Sequence, residues 1–286
     1  MTPQILPIVL DSLNYVAVLL LVSIGLVLIF GLMQVINLAH GEFFLIGAYG
    51  LWVAQSAGMP FVAGVFIGAV LAGLVGLVAE MAVISRMYER PLDTILATWG
   101  ISIAIKQAIV IAFGPQSQQI AAPLTSVVSI FGVSYSAYRL LVIGIAIVVV
   151  AVVFFVLYRT DIGLAARAAM VNRTMARSIG IDTRRLDRGA FALGTGLAGL
   201  AGAVMAPLMS VDPQMGFGFV LPAFLSLLVG GVASPLGAIW GTGLMGTSQT
   251  VMASIWSPVV AQIAVFTLAI VMIRIFPSGI TGGKRR

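Results

Sequence analysis

Apolar residues in this chain come in runs of roughly 20, separated by short polar links. That is the length a helix needs to cross about 30 Å of hydrocarbon. Candidate spans lie at about 12–31, 41–58, 61–84, 94–113, 139–158, 189–209, 217–231, 237–255 and 259–276. They predict an all-α polytopic membrane protein with about nine transmembrane helices, eight and ten fitting the pattern equally well. The polar links 85–93 (Arg86, Glu89, Arg90, Asp93), 159–188 and 281–286 all carry positive charge, and positive links collect in the cytoplasm. Alternation through nine spans puts all three links there, leaving the N-terminus outside and the C-terminus cytoplasmic. The uncharged link 114–138, with Pro115, Gln116, Ser117, Gln118 and Gln119, then falls on the outer face.

One link departs from a plain connector. Residues 159–188 hold seven arginines (Arg159, Arg167, Arg173, Arg177, Arg184, Arg185, Arg188) against three acids, Asp161, Asp182 and Asp187. An orientation signal needs only the charge, yet this link is also patterned as a helix. Leu164, Ala168, Val171, Met175 and Ile179 recur at helical spacing, and Gly180 ends the run. The expectation is one basic amphipathic helix on the cytoplasmic face, serving as a docking element or lying as a solvated, lipid-facing loop.

Composition agrees with the span pattern. The 286 residues are 60% hydrophobic and 8% charged, against about 25% charged in soluble domains. No polar stretch is long enough to fold separately, so residues 1–286 are expected to form a single membrane domain with the 159–188 loop attached. The net charge of +6 is concentrated in that loop and in Lys284-Arg285-Arg286, which reads as topology and not as nucleic-acid binding. The absence of cysteine excludes disulfides, thiol chemistry and thiolate metal sites. With no basic n-region in the first ten residues and no cleavage site after the first apolar run, the N-terminus is expected to be retained as a membrane segment. Gly64, Gly68, Ala72 and Gly76, and again Gly194, Ala198 and Gly202, place small residues on one stripe, which lets helices approach closely in a bilayer.

Candidate chemistry is sparse. Between the first two spans lies Met33-Gln34-Val35-Ile36-Asn37-Leu38-Ala39-His40-Gly41-Glu42, with the only histidine and one of few acids near membrane depth. Ionisable groups there are costly and usually face a cavity or a partner. Either a broken or re-entrant segment near 34–42 lines a translocation pathway, or an interfacial turn uses Asn37 and His40 to satisfy loose backbone groups. Glu80 and Lys106 are the other charges inside apolar runs. Each has a stem long enough to snorkel, and a mutual salt bridge is not favoured. The Gly230-Gly231 and Ser234-Pro235 stretch is either a tight turn or a break with freed backbone groups. Lone His40 cannot make a usual metal site, no nucleophile–histidine–acid set supports an enzyme, and no Gly-x-x-x-x-Gly-Lys-Ser/Thr stretch binds nucleotide. Any ATP-driven motor is therefore another chain, with no cofactor held here.

The runs Ile36-Asn37-Leu38-Ala39-His40-Gly41-Glu42-Phe43, Arg167-Ala168 with Asn172-Arg173, Ala176 and Gly180-Ile181, and Phe191-Ala192-Leu193-Gly194 through Gly202 resemble, in family order, the permease subunits of branched-chain amino acid ABC importers. So does the Gly230–Gly237 turn. Within that family, Arg90-Pro91-Leu92-Asp93-Thr94-Ile95-Leu96-Ala97-Thr98-Trp99-Gly100-Ile101-Ser102 resembles the branch for urea and short amides. The resemblance implies a bacterial inner-membrane importer and no enzyme. A second permease chain (a relative or a copy), two cytoplasmic ABC ATPases and an extracytoplasmic solute-binding protein would complete it. It implies a coupling role for Arg167, Asn172, Arg173, Met175, Arg177 and Gly180. Pathway candidates are Gln34, Asn37, His40, Glu42, Thr98 and Lys106. A neutral amide needs only hydrogen-bonding groups such as Gln34, Asn37 and Thr98, so urea or a short amide is expected ahead of branched-chain amino acids. A passive urea-type channel is the alternative of another class.

Overall fold

The computed structural model describes residues 2–88, 90–232 and 234–282. Glu89, Ala233 and the basic run Lys284-Arg285-Arg286 lie outside the described residues. The apolar runs become nine helices: α1 (Thr2–Met33), α2 (His40–Ser56), α3 (Phe61–Ala82), α4 (Pro91–Phe113), α5 (Ala137–Arg159), α8 (Thr183–Met205), α9 (Phe217–Gly230), α10 (Pro235–Ile255) and α11 (Pro258–Ile275). Two short helices, α6 (Asp161–Val171) and α7 (Arg173–Ser178), occupy the basic link. The class is helical as expected, with one addition. Strands β1 (Val127–Ile130) and β2 (Val133–Ser136) pair antiparallel in the uncharged link around a Phe131-Gly132 turn. Both turn residues have positive φ, +47° and +82°, the geometry of a two-residue hairpin.

The expected count of nine spans is corrected. Among the described residues six helices are long and apolar enough to cross a membrane alone, or seven when α9 and α10, bent by 119° at their break, count as one span. Helix α2 has 17 residues and is buried on nearly every face, and α9 has only 14. Hydropathy counts apolar runs, and a helix that starts inside the protein is as apolar as one that meets lipid.

Helix α1 is the central post. It is hydrophobic all round and most of its span is buried, as such a helix must be. Helices α2, α3 and α8 knit together through small residues. A Cβ on Gly50 would meet the Gly68 Cα at 2.7 Å, so the backbones touch where any side chain would separate them. The lipid-facing flank falls to α3, α4, α5 and α11, which expose Phe66, Leu96, Trp99, Val148, Phe155 and Ile263.

Polar contacts flank the central stretch of α1, from Asp11 to Leu32. At one end Asp11 pairs with Arg139 and accepts from the Tyr135 hydroxyl at 3.0 Å. Burial pushes that phenol up to about 12, so it stays a donor. At the other end the Leu32 carbonyl accepts from Arg173 at 2.9 Å. The helical rise between Asp11 and Leu32 is about 30 Å, the thickness of the hydrocarbon slab. The break between α9 and α10 is closed from outside. Gly231 takes φ +118°, and the segment after α11 satisfies the turn, Ile280 N donating to Val229 O (2.8 Å) and Thr281 N to Gly230 O (3.1 Å).

Candidate functional site

Helix α1 ends at Met33 and α2 starts at His40, with six non-helical residues between them. The chain climbs back along α1 through this segment, because His40 Nε2 lies 3.1 Å from the Val22 carbonyl oxygen. Val22 sits three turns before the end of α1, about 16 Å by helical rise. A carbonyl only accepts, so Nε2 carries the proton and Nδ1 is left as an acceptor. Helix α2 therefore begins deep inside the bundle, and the backbone before it must find partners there.

Helix α4 supplies them. Thr94, Thr98, Ser102 and Lys106 recur every four residues along it, so they form one polar stripe on an otherwise apolar helix. Leu38 N donates to Thr98 Oγ1 at 3.2 Å, and the threonine hydrogen is within reach of Ile36 O (3.3 Å) and Ile95 O (3.0 Å). Asn37 Oδ1 accepts from Ala39 N at 3.1 Å. One turn further, Ser102 donates to Glu42 Oε1 at 2.8 Å, and Lys106 Nζ stands 3.4 Å from the same oxygen and 6.0 Å from the centre of the Phe217 ring. The Glu42 side chain is 4% exposed and that of Lys106 25%. Asn37 Nδ2, His40 Nδ1 and Glu42 Oε2 are buried without a partner among the described residues.

An apolar pocket of about 350 Å³ continues the same faces, lined by Ile46, Tyr49, Val53, Leu71, Ile109 and Phe113 among others. Ile46 lies one turn past Glu42 on α2, and Ile109 one turn past Lys106 on α4. A larger cavity of about 900 Å³ between α5 and α8 is lined mostly by aliphatic residues, together with Asp161, Asp182 and Arg185, and includes no described member of the break.

Of the pathway candidates, the structure brings Asn37, Glu42, Thr98 and Lys106 to the contact between the break and α4, while the His40 side chain faces Val22 of α1. Gln34 stands apart, exposed at the end of α1 with φ +55°. Lys106 pairs with Glu42, while Glu80 accepts from Tyr88 and lies 3.6 Å from Arg188. Burial first, and then the bond to Glu80, raises the Tyr88 phenol well above its ordinary range. Ser102, Tyr88, Asp187 and Arg188 were not among the sequence candidates. The four-residue stripe on α4 was a readable signal for Ser102.

The basic link is not one helix. Asn172 breaks it, its side chain capping α7 by accepting from Met175 N at 3.0 Å. Arg173 turns inward, pairs with both oxygens of Asp187 on α8 and donates to Leu32 O. Arg177 bonds Thr183 Oγ1 at 2.9 Å, and Arg167 lies 5.0 Å over the Tyr158 ring. Gly180, at φ +91°, ends the segment. The apolar side chains expected to form the helix face point outward. Val171, Met175 and Ile179 are 88%, 64% and 70% exposed.

A helical membrane bundle with a satisfied backbone break inside it, and an outward-facing apolar ridge on a basic loop, defines a transport permease. The chain belongs to the family described as the branched-chain amino acid transport system permease component, whose model matches residues 8–275. It is 26% identical over 278 residues to the high-affinity branched-chain amino acid transport system permease protein BraD of Pseudomonas aeruginosa, covering 92% of this chain and 91% of that one. LivH of Escherichia coli (strain K12), named for the same kind of system, is 27% identical over 283 residues, covering 92% and 90%. A probable branched-chain amino acid transport permease LivH of Methanocaldococcus jannaschii is 27% identical over 292 residues, covering 94% and 90%. No solved structure matches the chain at a significant level. The chain is thus a multi-pass ABC importer permease and not an enzyme, and ATP hydrolysis belongs to separate subunits. None of these three relatives is named for urea or amides, so the urea expectation gains no support from them.

Proposed function

We propose that this chain is the permease subunit of a binding-protein-dependent importer for branched-chain amino acids. The observation that carries the substrate is the 350 Å³ apolar pocket one turn from the buried Glu42 and the half-buried Lys106. An aliphatic side chain removes apolar surface from water there, at about 25 cal/mol per Å², whereas urea has nothing to place in it. The groups that favoured an amide are also engaged elsewhere. Thr98 and the Asn37 oxygen hold the backbone of the break.

In this reading α1 runs from the outside to the cytoplasm, placing α6, α7 and the end of α11 on the cytoplasmic side. The ridge of Val171, Met175 and Ile179 sits in a groove of one of two ATPases, and a second permease chain and a solute-binding protein complete the importer. Arg173 then transmits motion, because it ties α7 to α8 and to the end of α1. A rigid-body switch needs such a stiff connector. A passive channel has no use for an exposed apolar ridge.

Uptake of labelled leucine and labelled urea, measured with and without this subunit and before and after ATP depletion, tests the proposal. ATP-dependent leucine uptake that needs the subunit is the expected result. ATP-dependent urea uptake without leucine uptake overturns the substrate, and ATP-insensitive flux overturns the importer reading.

A further inference from the structure

We infer that Glu42 and Lys106 are the receptor for the two charged ends of an α-amino acid, exchanging their own ion pair for its ammonium and carboxylate. This rests on the amino-acid reading above and specifies how the same site reads its cargo.

The pair is built loosely. Lys106 Nζ stands 3.4 Å from Glu42 Oε1, beyond the usual hydrogen-bond limit of about 3.2 Å. Glu42 Oε2 is buried and has no partner among the described residues. An unpartnered oxygen of a buried carboxylate is expensive to keep. A ligand ammonium supplies the missing donors. Among the described residues Lys106 has only one carboxylate oxygen near it and the Phe217 ring to one side, so a ligand carboxylate meets a cation whose capacity for three donated bonds is scarcely used.

Position ties this receptor to the apolar pocket. An α-amino acid carries both charges and its side chain on one carbon. Glu42 and Lys106 lie on the faces of α2 and α4 that continue, one turn on, into the pocket at Ile46 and Ile109. Separating the pair leaves a buried carboxylate and a half-buried ammonium, and only a molecule carrying both opposite charges compensates each of them. A neutral amide compensates neither. The arrangement also lets the ligand in. Helix α4 exposes Leu96, Trp99, Ile103 and Ile111 on its other flank and buries Thr94, Thr98, Ser102 and Ile109 against the bundle, so much of its attachment is the polar stripe with which the ligand competes.

The chain has no cysteine, so a single introduced thiol reports occupancy on this subunit. Ile46→Cys places it at the pocket, and its labelling by a small thiol reagent is followed in the assembled importer in vesicles. Leucine is expected to slow labelling by about tenfold, while leucinamide and 4-methylpentanoate, each lacking one charge, leave it fast. Adding Glu42→Gln or Lys106→Met raises the leucine concentration for half-protection by about 100-fold, the loss of one to two charge-assisted bonds. Should either single variant fail to fold, Glu42→Gln with Lys106→Met together removes both charges at similar size. Leucine and 4-methylpentanoate then protect alike. Unchanged leucine protection in the double variant, with 4-methylpentanoate still excluded, overturns this inference and leaves the amino-acid reading intact. Protection by urea and not by leucine in the Ile46→Cys parent overturns the reading itself.

Discussion

Replacing Asp187 with Ala should loosen the basic link without unfolding the bundle. The Asp187 carboxylate is 1% exposed and receives both terminal nitrogens of Arg173, whose side chain is 29% exposed. Removing one partner of a buried pair costs about 3–5 kcal/mol, because the other charge is left uncompensated. The partial exposure of Arg173 lets water recover some of that, so about 3 kcal/mol is expected at the lower end of the range. That energy falls on local opening, since α7 is held to the bundle through this contact and through the bond to Leu32 O. At a factor of ten per about 1.4 kcal/mol, amide exchange in residues 173–180 should quicken by about 100-fold, while that of α1 and α8 interiors stays put. Hydrogen exchange read by mass spectrometry resolves this segment. Arg173→Met supplies the second arm of a double-mutant cycle, and adding Asp187→Ala to it should cost little more. Exchange within about threefold of the parent, or equal effects of Asp187→Ala in both backgrounds, would refute the clamp.

Three further outcomes follow from contacts described above. Met175→Glu with Ile179→Glu should leave the permease folded, since both side chains are largely exposed, and abolish co-purification of the ATPase subunits; undiminished complex would remove α7 from the interface. Thr98→Val strands the Leu38 N–H and Ile36 C=O inside the bundle and should lower stability by about 2–3 kcal/mol, measured as thermal denaturation in detergent, with Thr98→Ser close to the parent. Phe131→Asn, at a φ of +47° on an exposed turn, should raise stability by about 1 kcal/mol by easing left-handed backbone, and a lower melting temperature would contradict it.

The placement of the nine apolar helices was legible because each is a nearly uninterrupted apolar run. Which of them cross a bilayer was not. Helix α2 starts at His40, three turns up the side of α1, and its residues face protein where an equally apolar span faces lipid. The break itself was readable from Asn37, His40 and Glu42, since polar groups at that density inside an apolar run need partners. Their partners were not, because Ser102 and Lys106 come from a helix about 60 residues away. The four-residue recurrence from Thr94 to Lys106 marked the face without naming what it meets. The division of the basic link at Asn172 did carry a local signal, asparagine being a preferred helix cap. The apolar spacing from Leu164 to Ile179 outweighed it. The Phe131-Gly132 hairpin lacks the usual Asn-Gly or Asp-Gly, and the surrounding link reads as plain loop.

The clasp on the α9–α10 turn sets an order of events during synthesis. Val229 O and Gly230 O receive their partners from Ile280 and Thr281, about 50 residues later in the chain. Until those residues have left the ribosome, the two carbonyls at the Gly231 turn must be hydrated, so the hairpin of α9 and α10 waits near the aqueous boundary. Helix α11 has to be inserted before the turn can be sealed. Residues 280 and 281 therefore complete an element begun some 60 residues earlier, and a nascent chain stalled after α10 would hold that end of the bundle open to water.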